Sequence, residues 1–248
     1  MKRLLRKVHR FYFLGLLFLI FIIFYPGLWF AAKKGGAYLV WLMRIRRWIA
    51  VSVSTLSGFR FHVKGEEYID WNRTYLICSN HSSNLDIIAL IIACKQNFSF
   101  VGKEELKSNP ITGLFFRTID IPIDRSSKIS SYKAYSRAKC LLEEGRAVMI
   151  FPEGGIPDHY PPKLQAFKNG AFKLAIETNV PVLPVVIHDT WKLFWDDGKI
   201  YGTRPGVCHL TLLQPIETDK LSTKSDELRE SVFQAFQQSW KSKRSNIY

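Results

Sequence analysis

A chain of 248 residues with 47% hydrophobic side chains can bury a substantial core, and it suits one sizeable α/β domain with an appendage. A formal charge of +14 calls for an anionic partner, but the chain has no zinc-finger spacing and no RNA-binding aromatic signature, which argues against nucleic acid. Cys78, Cys94, Cys140 and Cys208 are scattered without metal or redox spacing; this excludes a disulfide scaffold and fits buried thiols in a reducing compartment.

The cations are unevenly placed. Lys2, Arg3, Arg6, Lys7 and Arg10 precede an apolar run from Phe11 to Ala32, Lys33 and Lys34 follow it, and Arg44, Arg46 and Arg47 border the next apolar stretch. Cations flanking apolar segments suit phospholipid headgroups better than a duplex groove, so membrane phospholipids are the expected partner. The first run has the roughly 20 residues needed to cross a bilayer as a helix. A cleaved leader ending at Phe30-Ala31-Ala32 fits less well, because a second apolar stretch, Ala37 to Met43, follows at once. Pro26-Gly27 is expected to break the first helix, and Lys33-Lys34-Gly35-Gly36 to turn the chain. A single span and a helical hairpin dipping into one leaflet both satisfy this pattern, since positive charge lies on both sides. Residues 1–58 are thus expected to be membrane-associated helices, and residues 59–248 a globular domain on the cytosolic face of the cytoplasmic membrane.

Beyond Phe59, short apolar runs alternate with amphipathic segments. Strands are expected at Tyr75–Cys78, Phe98–Val101, Ile119–Ile123, Ala147–Phe151, Val182–Ile187 and Val207–Leu213. Helices are expected at Leu85–Cys94, Ile111–Arg117, Ile129–Glu144, Gly170–Thr178 and Lys224–Trp240. This alternation predicts an α/β domain with a mainly parallel sheet flanked by helices. Leu228, Val232, Phe236 and Trp240 recur near helical spacing, as in an amphipathic helix docked on the domain. Trp191 and Trp195 read as core packing, or as packing against a lipid chain or the membrane.

Four blocks carry chemistry. The first, Cys78-Ser79-Asn80-His81-Ser82-Ser83-Asn84-Leu85-Asp86, joins an apolar strand to a helix. A His and an Asp five positions apart can meet across the first turn of that helix. There the carboxylate takes one imidazole N–H and leaves the other ring nitrogen bare as a general base. Ser82 and Ser83 adjoin the base in sequence, and such neighbours rarely lie in line with it, so the expected nucleophile is a hydroxyl arriving with the substrate. In isolation this spacing also arises by chance. The second block, Ile121-Pro122-Ile123-Asp124-Arg125, ends a strand on a guanidinium suited to phosphate or carboxylate; alone, a surface ion pair explains it better. The third runs from Met149 to Pro157. Its strand stops at Pro152 and exposes Glu153 beside Gly154 and Gly155, whose backbone can approach a ligand. A tight turn explains the proline and glycines but not the acid. The fourth, Val180 to Ile187, carries Pro181 and Pro184 and reads as an edge or irregular strand. His9, His62, His159, His188 and His209 have no spacing for a metal site, and no cofactor is implied.

In this order the blocks resemble the glycerolipid acyltransferases, typified by 1-acylglycerol-3-phosphate O-acyltransferases. That family is marked by Asn-His-x-x-x-x-Asp, an Ile-Asp-Arg-type block, Phe-Pro-Glu-Gly, and an apolar Val-Pro-x-x-Pro-Val block. Here these are Asn80 to Asp86, Ile123 to Arg125, Phe151 to Gly154 and Val180 to Val185. Val101 to Leu106 and Phe167-Lys168-Asn169-Gly170 are similar to further family segments. The resemblance implies transfer of a fatty acyl group from an acyl-CoA or acyl carrier protein thioester to a lysolipid hydroxyl. It casts His81 as base and Asp86 as its orienter, and it implies acceptor binding by Lys103, Arg125, Glu153, Gly154 and Lys168.

Two departures bear on the acceptor. Gly155-Ile156-Pro157 stands where many relatives carry Thr-Arg-Ser, which removes a bidentate phosphate donor. Ile119 and Asp120 stand where relatives often have glycine, and a carboxylate there repels phosphate unless it points away. Lysophosphatidate is the expected acceptor, and a phosphate-free lysolipid such as an aminoacyl lipid is its rival. A non-catalytic lipid-binding protein and a hydrolase using the dyad on water are the other readings.

Overall fold

The structure is a computed structural model that describes residues 2–195, 202–218 and 224–244. Two helices, α1 (Lys2–Lys34) and α2 (Leu39–Leu56), come first, joined by a turn in which Gly35 and Gly36 adopt positive φ of 63° and 53°. The break expected at Pro26-Gly27 is absent, because α1 runs straight through it. An interior proline costs a helix about 3 kcal/mol, and packing on α2 offsets this. Leu28 is fully buried, and Gly27 lets α2 come close: a Cβ there would lie 3.3 Å from Ile45 Cδ1.

Seven strands follow: β1 (Phe59–Lys64), β2 (Leu76–Ser79), β3 (Phe98–Lys103), β4 (Ile121–Ile123), β5 (Ala147–Ile150), β6 (Val182–Ile187) and β7 (Gly206–Leu212). They form one sheet in the order β1-β7-β6-β2-β5-β3-β4. β6, β2, β5, β3 and β4 are mutually parallel, β7 pairs antiparallel to β6, and β1 is parallel to β7. The helices between them are α3 (Leu85–Ala93), α4 (Gly113–Phe116), α5 (Lys128–Glu143), α6 (Gly170–Thr178) and α7 (Thr190–Leu193), with α8 (Ser225–Arg244) at the end. The expected α/β class and mainly parallel sheet are observed. β1 escaped the sequence reading, although Phe59, Phe61 and Val63 alternate with Arg60, His62 and Lys64 as a half-buried strand requires.

Period-two alternation sorts the strand side chains onto two faces. Val148, Leu76, Val182 and Val186 join Ala134, Leu141, Phe172, Leu228 and Phe236 under α5, α6 and α8. Met149, Ile77, Leu183 and Val185 join Ala89 and Leu90 of α3 and Ala50 of α2 on the other face. A third cluster seals α1 onto α2 through Phe13, Leu28, Leu42 and Val53, with Leu85 and Phe115 beneath. The outer side of α1 stays bare, with Phe11, Phe18, Ile23 and Trp29 among its exposed side chains. Among the described residues α1 is the one helix long and apolar enough to cross a membrane.

α2 is bound inward by its arginines. Arg47 donates to Ile91 O, Ile92 O and Cys94 O at the carboxyl end of α3, at 2.7, 3.0 and 2.8 Å. Arg46 donates to both oxygens of Asp120, at 2.9 and 3.2 Å, and to Phe98 O at 2.7 Å. Asp120 therefore faces α2 from the residue before β4.

Of the two positions its prolines allow, edge or irregular strand, β6 takes the second: it lies between β2 and β7, and every residue in it is buried. The sheet accommodates Pro184 at a local irregularity. Val185 pairs with Leu212 but Val182 bridges Ile216, so the chain after β7 carries one extra residue opposite the proline. Leu213 N still donates to the Pro184 carbonyl at 3.0 Å. A missing N–H is tolerated where the ladder is interrupted.

Candidate active site

Open parallel sheets bind ligands outside the carboxyl ends of their strands, where successive crossovers lead in opposite directions. Here β2 leads through α3 toward β3, and β5 leads through α6 back toward β6, so the crevice falls between neighbouring β2 and β5. His81 follows β2 and Glu153 follows β5. The two loops are stitched together, because Glu153 Oε1 accepts His81 N at 2.8 Å.

The dyad forms. His81 Nδ1 lies 2.9 Å from Asp86 Oδ2, with the carboxylate fully buried and the imidazole 14% exposed. Asp86 sits in the first turn of α3, where the helix N-terminus favours an anion. Oδ2 also accepts Ser82 N and Ser83 N, at 2.7 and 2.9 Å, and the Thr190 hydroxyl donates to Oδ1. The Phe151 ring stacks on the imidazole at 4.0 Å and 13°, which fixes its plane. Among the described residues nothing bonds to Nε2, so the nitrogen facing away from Asp86 is available to accept a proton.

Ser82 and Ser83 have other tasks. Ser83 Oγ donates to Phe194 O at 2.5 Å, and Ser82 Oγ lies 3.4 Å from Thr190 Oγ1; both serines are buried. Burial pushes the Cys78 and Cys94 thiols up to about 12 and raises Cys208 as well, so none of the three serves as a thiolate.

Glu153, expected to contact the acceptor, spends both oxygens on backbone. Oε2 accepts Gln165 N at 2.7 Å, while burial raises the acid to about 7 against the pull of its two N–H donors. Gly154 takes φ 88°, in the left-handed region glycine favours. A Cβ there would meet Lys168 Nζ at 2.8 Å, which places the Lys168 ammonium directly over this turn. Lys103, the last residue of β3, and Arg125, two residues past β4, are both exposed at the same edge of the sheet. No hydrogen bond or ion pair ties either to the dyad among the described residues. Asp120, the feared repulsive acid, lies at the opposite edge and is held by Arg46; burial raises its carboxyl and Arg46 lowers it.

Three contributors had no role assigned from the sequence, although Asn80 and Phe151 lie inside the first and third blocks. Asn80 donates to Ile187 O and accepts Ile187 N, both at 2.8 Å, locking the end of β2 to the end of β6. Phe151 looked like an ordinary strand residue. Thr190 is 104 positions from Asp86 and belongs to no block, so only the folded chain reveals it.

The acyltransferase family model matches residues 60–188. An uncharacterized acyltransferase of Schizosaccharomyces pombe is 31% identical over 67% of this chain and 60% of its own length. The mouse protein named 1-acyl-sn-glycerol-3-phosphate acyltransferase alpha is 28% identical over 79% of this chain and 70% of its own. The fold matches the crystal structure of the 1-acyl-sn-glycerophosphate acyltransferase PlsC from Thermotoga maritima with a TM-score of 0.80, covering 98% of both chains at 21% identity. With the family model spanning more than half of its length, this chain belongs to the acyltransferase family.

Proposed function

We propose that this protein moves a fatty acyl group from an acyl-CoA or acyl carrier protein thioester to the free hydroxyl of 1-acylglycerol-3-phosphate, giving phosphatidic acid. The observation that carries the reading is the dyad itself: an imidazole held by a buried carboxylate through Nδ1, with Nε2 open at the carboxyl edge of the sheet. Nε2 takes the proton of the acceptor hydroxyl as its oxygen attacks the thioester carbonyl. The tetrahedral intermediate then collapses, the C–S bond breaks, and the departing thiolate takes the proton back from Nε2. Asp86 stays ionised and stabilises the transient imidazolium. Commitment of Ser82 and Ser83 to structural hydrogen bonds supports direct transfer without an acyl-enzyme.

Lys103, Arg125 and Lys168 supply cations at that edge for the acceptor phosphate. β2 and β4 lie three strand spacings apart, about 14 Å, so a headgroup beside His81 lies within the reach of long basic side chains from β3 and β4. The bare apolar side of α1, with basic residues at both ends, supports docking on an anionic bilayer that delivers the lysolipid. Gly155-Ile156-Pro157, which offers no guanidinium beside Gly154, favours a second reading with a phosphate-free lysolipid as acceptor. Purified protein in mixed micelles, given labelled acyl-CoA or acyl carrier protein and a panel of lysolipids, tests both. Phosphatidic acid formation that disappears in His81→Ala is expected. Turnover of other lysolipids with none of lysophosphatidate overturns the acceptor assignment, and undiminished transfer by His81→Ala overturns the base.

A further inference from the structure

The two oxygens of Asp86 are held in different ways. Oδ2 takes three donors from its own turn: His81 Nδ1, Ser82 N and Ser83 N. Oδ1 receives the Thr190 hydroxyl and, among the described residues, no other donor. With the side chain withdrawn from solvent, no water can replace a lost partner without cost.

We propose that Thr190 is a positioning residue for the acyl transfer: its hydroxyl fixes the rotation of the Asp86 carboxylate and thereby the setting of the His81 imidazole. This inference rests on the dyad reading given above. Thr190 is itself firmly placed at the start of α7. The preceding Asp189 accepts both His209 N and His209 Nδ1 at 2.7 Å, tying this turn to β7. On the other side of Thr190, the Trp191 indole donates to His188 O at 3.0 Å. Ser82 Oγ, at 3.4 Å, can donate to Thr190 Oγ1 and so direct the threonine proton toward Asp86. The base in the first block is therefore oriented from beyond the fourth block, by a residue whose own proton is committed and which cannot act as a nucleophile. Outer partners of this kind orient the group that does the chemistry and shift its basicity.

The test uses the full chain in detergent with acyl-CoA and lysophosphatidate, comparing Thr190→Val, which removes the hydroxyl, with Thr190→Ser, which keeps it. The expected result for valine is a kcat lower by about tenfold to a hundredfold at nearly unchanged KM, with the acid limb of the kcat profile moved to higher pH; serine restores most of the rate. His81, Glu153 and Cys208 are the titratable groups that feel Asp86. Since Glu153 titrates near neutrality, the shift of the acid limb is also read between matched proteins carrying Glu153→Gln. If valine does not fold, Thr190→Ala carries the same comparison with less bulk. Unchanged kcat and pH profile in valine, with lowered thermal stability alone, overturns the proposal; so does a serine variant as slow as valine. Transfer surviving His81→Ala would instead bring down the dyad reading itself.

Discussion

Asp86 and Asp120 both withdraw a carboxylate from solvent, one at the carboxyl edge of the parallel strands and one at the amino edge, and each faces a nitrogen base. At the amino edge the base is Arg46. Its guanidinium is closed in by Asp120, by Phe98 O and by the rings of Phe98, Phe100 and Phe115 at 5.2–5.8 Å, and arginine does not release its proton in proteins. At the carboxyl edge the base is His81, whose ring has one nitrogen clamped and one open. A buried acid is thus common to a structural rivet and to the dyad proposed as the base. What separates them is whether the partner can titrate and keeps a free nitrogen facing outward.

Isosteric substitution gives the sharpest break. Asn in place of Asp86 can keep its amide oxygen on the Ser82 and Ser83 N–H groups and turn its NH2 toward the Thr190 hydroxyl, so the fold should survive while the charge is lost. A fall in kcat of about 10²–10⁴ is expected at little change in melting temperature, read by steady-state kinetics beside calorimetry. Equal activity would place Asp86 with Asp120 as a structural acid. At the other edge the signs reverse. Arg46→Met strands Asp120 in an apolar site and should cost about 3–5 kcal/mol in denaturant unfolding, with the specific activity of the folded fraction largely kept. Adding Asp120→Leu should recover much of that loss, and no recovery would mean the pair does not act as a unit.

Glu153 sharpens the comparison from the side of pH. Burial lifts it from an ordinary 4.5 to about 7, so folding favours its protonated form. That contribution is complete below about pH 4.5 and is lost as pH rises through about 7, an effect of about 3 kcal/mol. Glu153→Gln should flatten the stability profile across this window in urea titrations; an unchanged slope would assign it to other groups.

Elements dictated by local pattern were legible. Strands β2, β3, β5 and β6, and helices α3, α5, α6 and α8, lie within a few residues of where periodicity puts them, and Leu228, Val232 and Phe236 point inward as their spacing requires. The His81–Asp86 contact was legible too, because a helix turn dictates it. Where the sequence misled or left alternatives open, distant partners set the outcome. Pro26 stays helical because α2 packs on it, Pro184 enters a central strand because the chain after β7 bulges opposite it, and Asp120 points away from the site because Arg46 of α2 binds it at the amino end of β4. Thr190 and Asn80 act over about a hundred residues of sequence, a range at which spacing carries no information.

The Phe194 carbonyl that receives the Ser83 hydroxyl belongs to a residue whose ring lies edge-on to Phe13 of α1, 5.6 Å between centroids. Trimming the leading helix would therefore take away a ring packed against the segment that holds the Ser83 hydroxyl, two residues from His81. The leading helix is masonry for the loop after β2, and it cannot be removed without unsettling that loop.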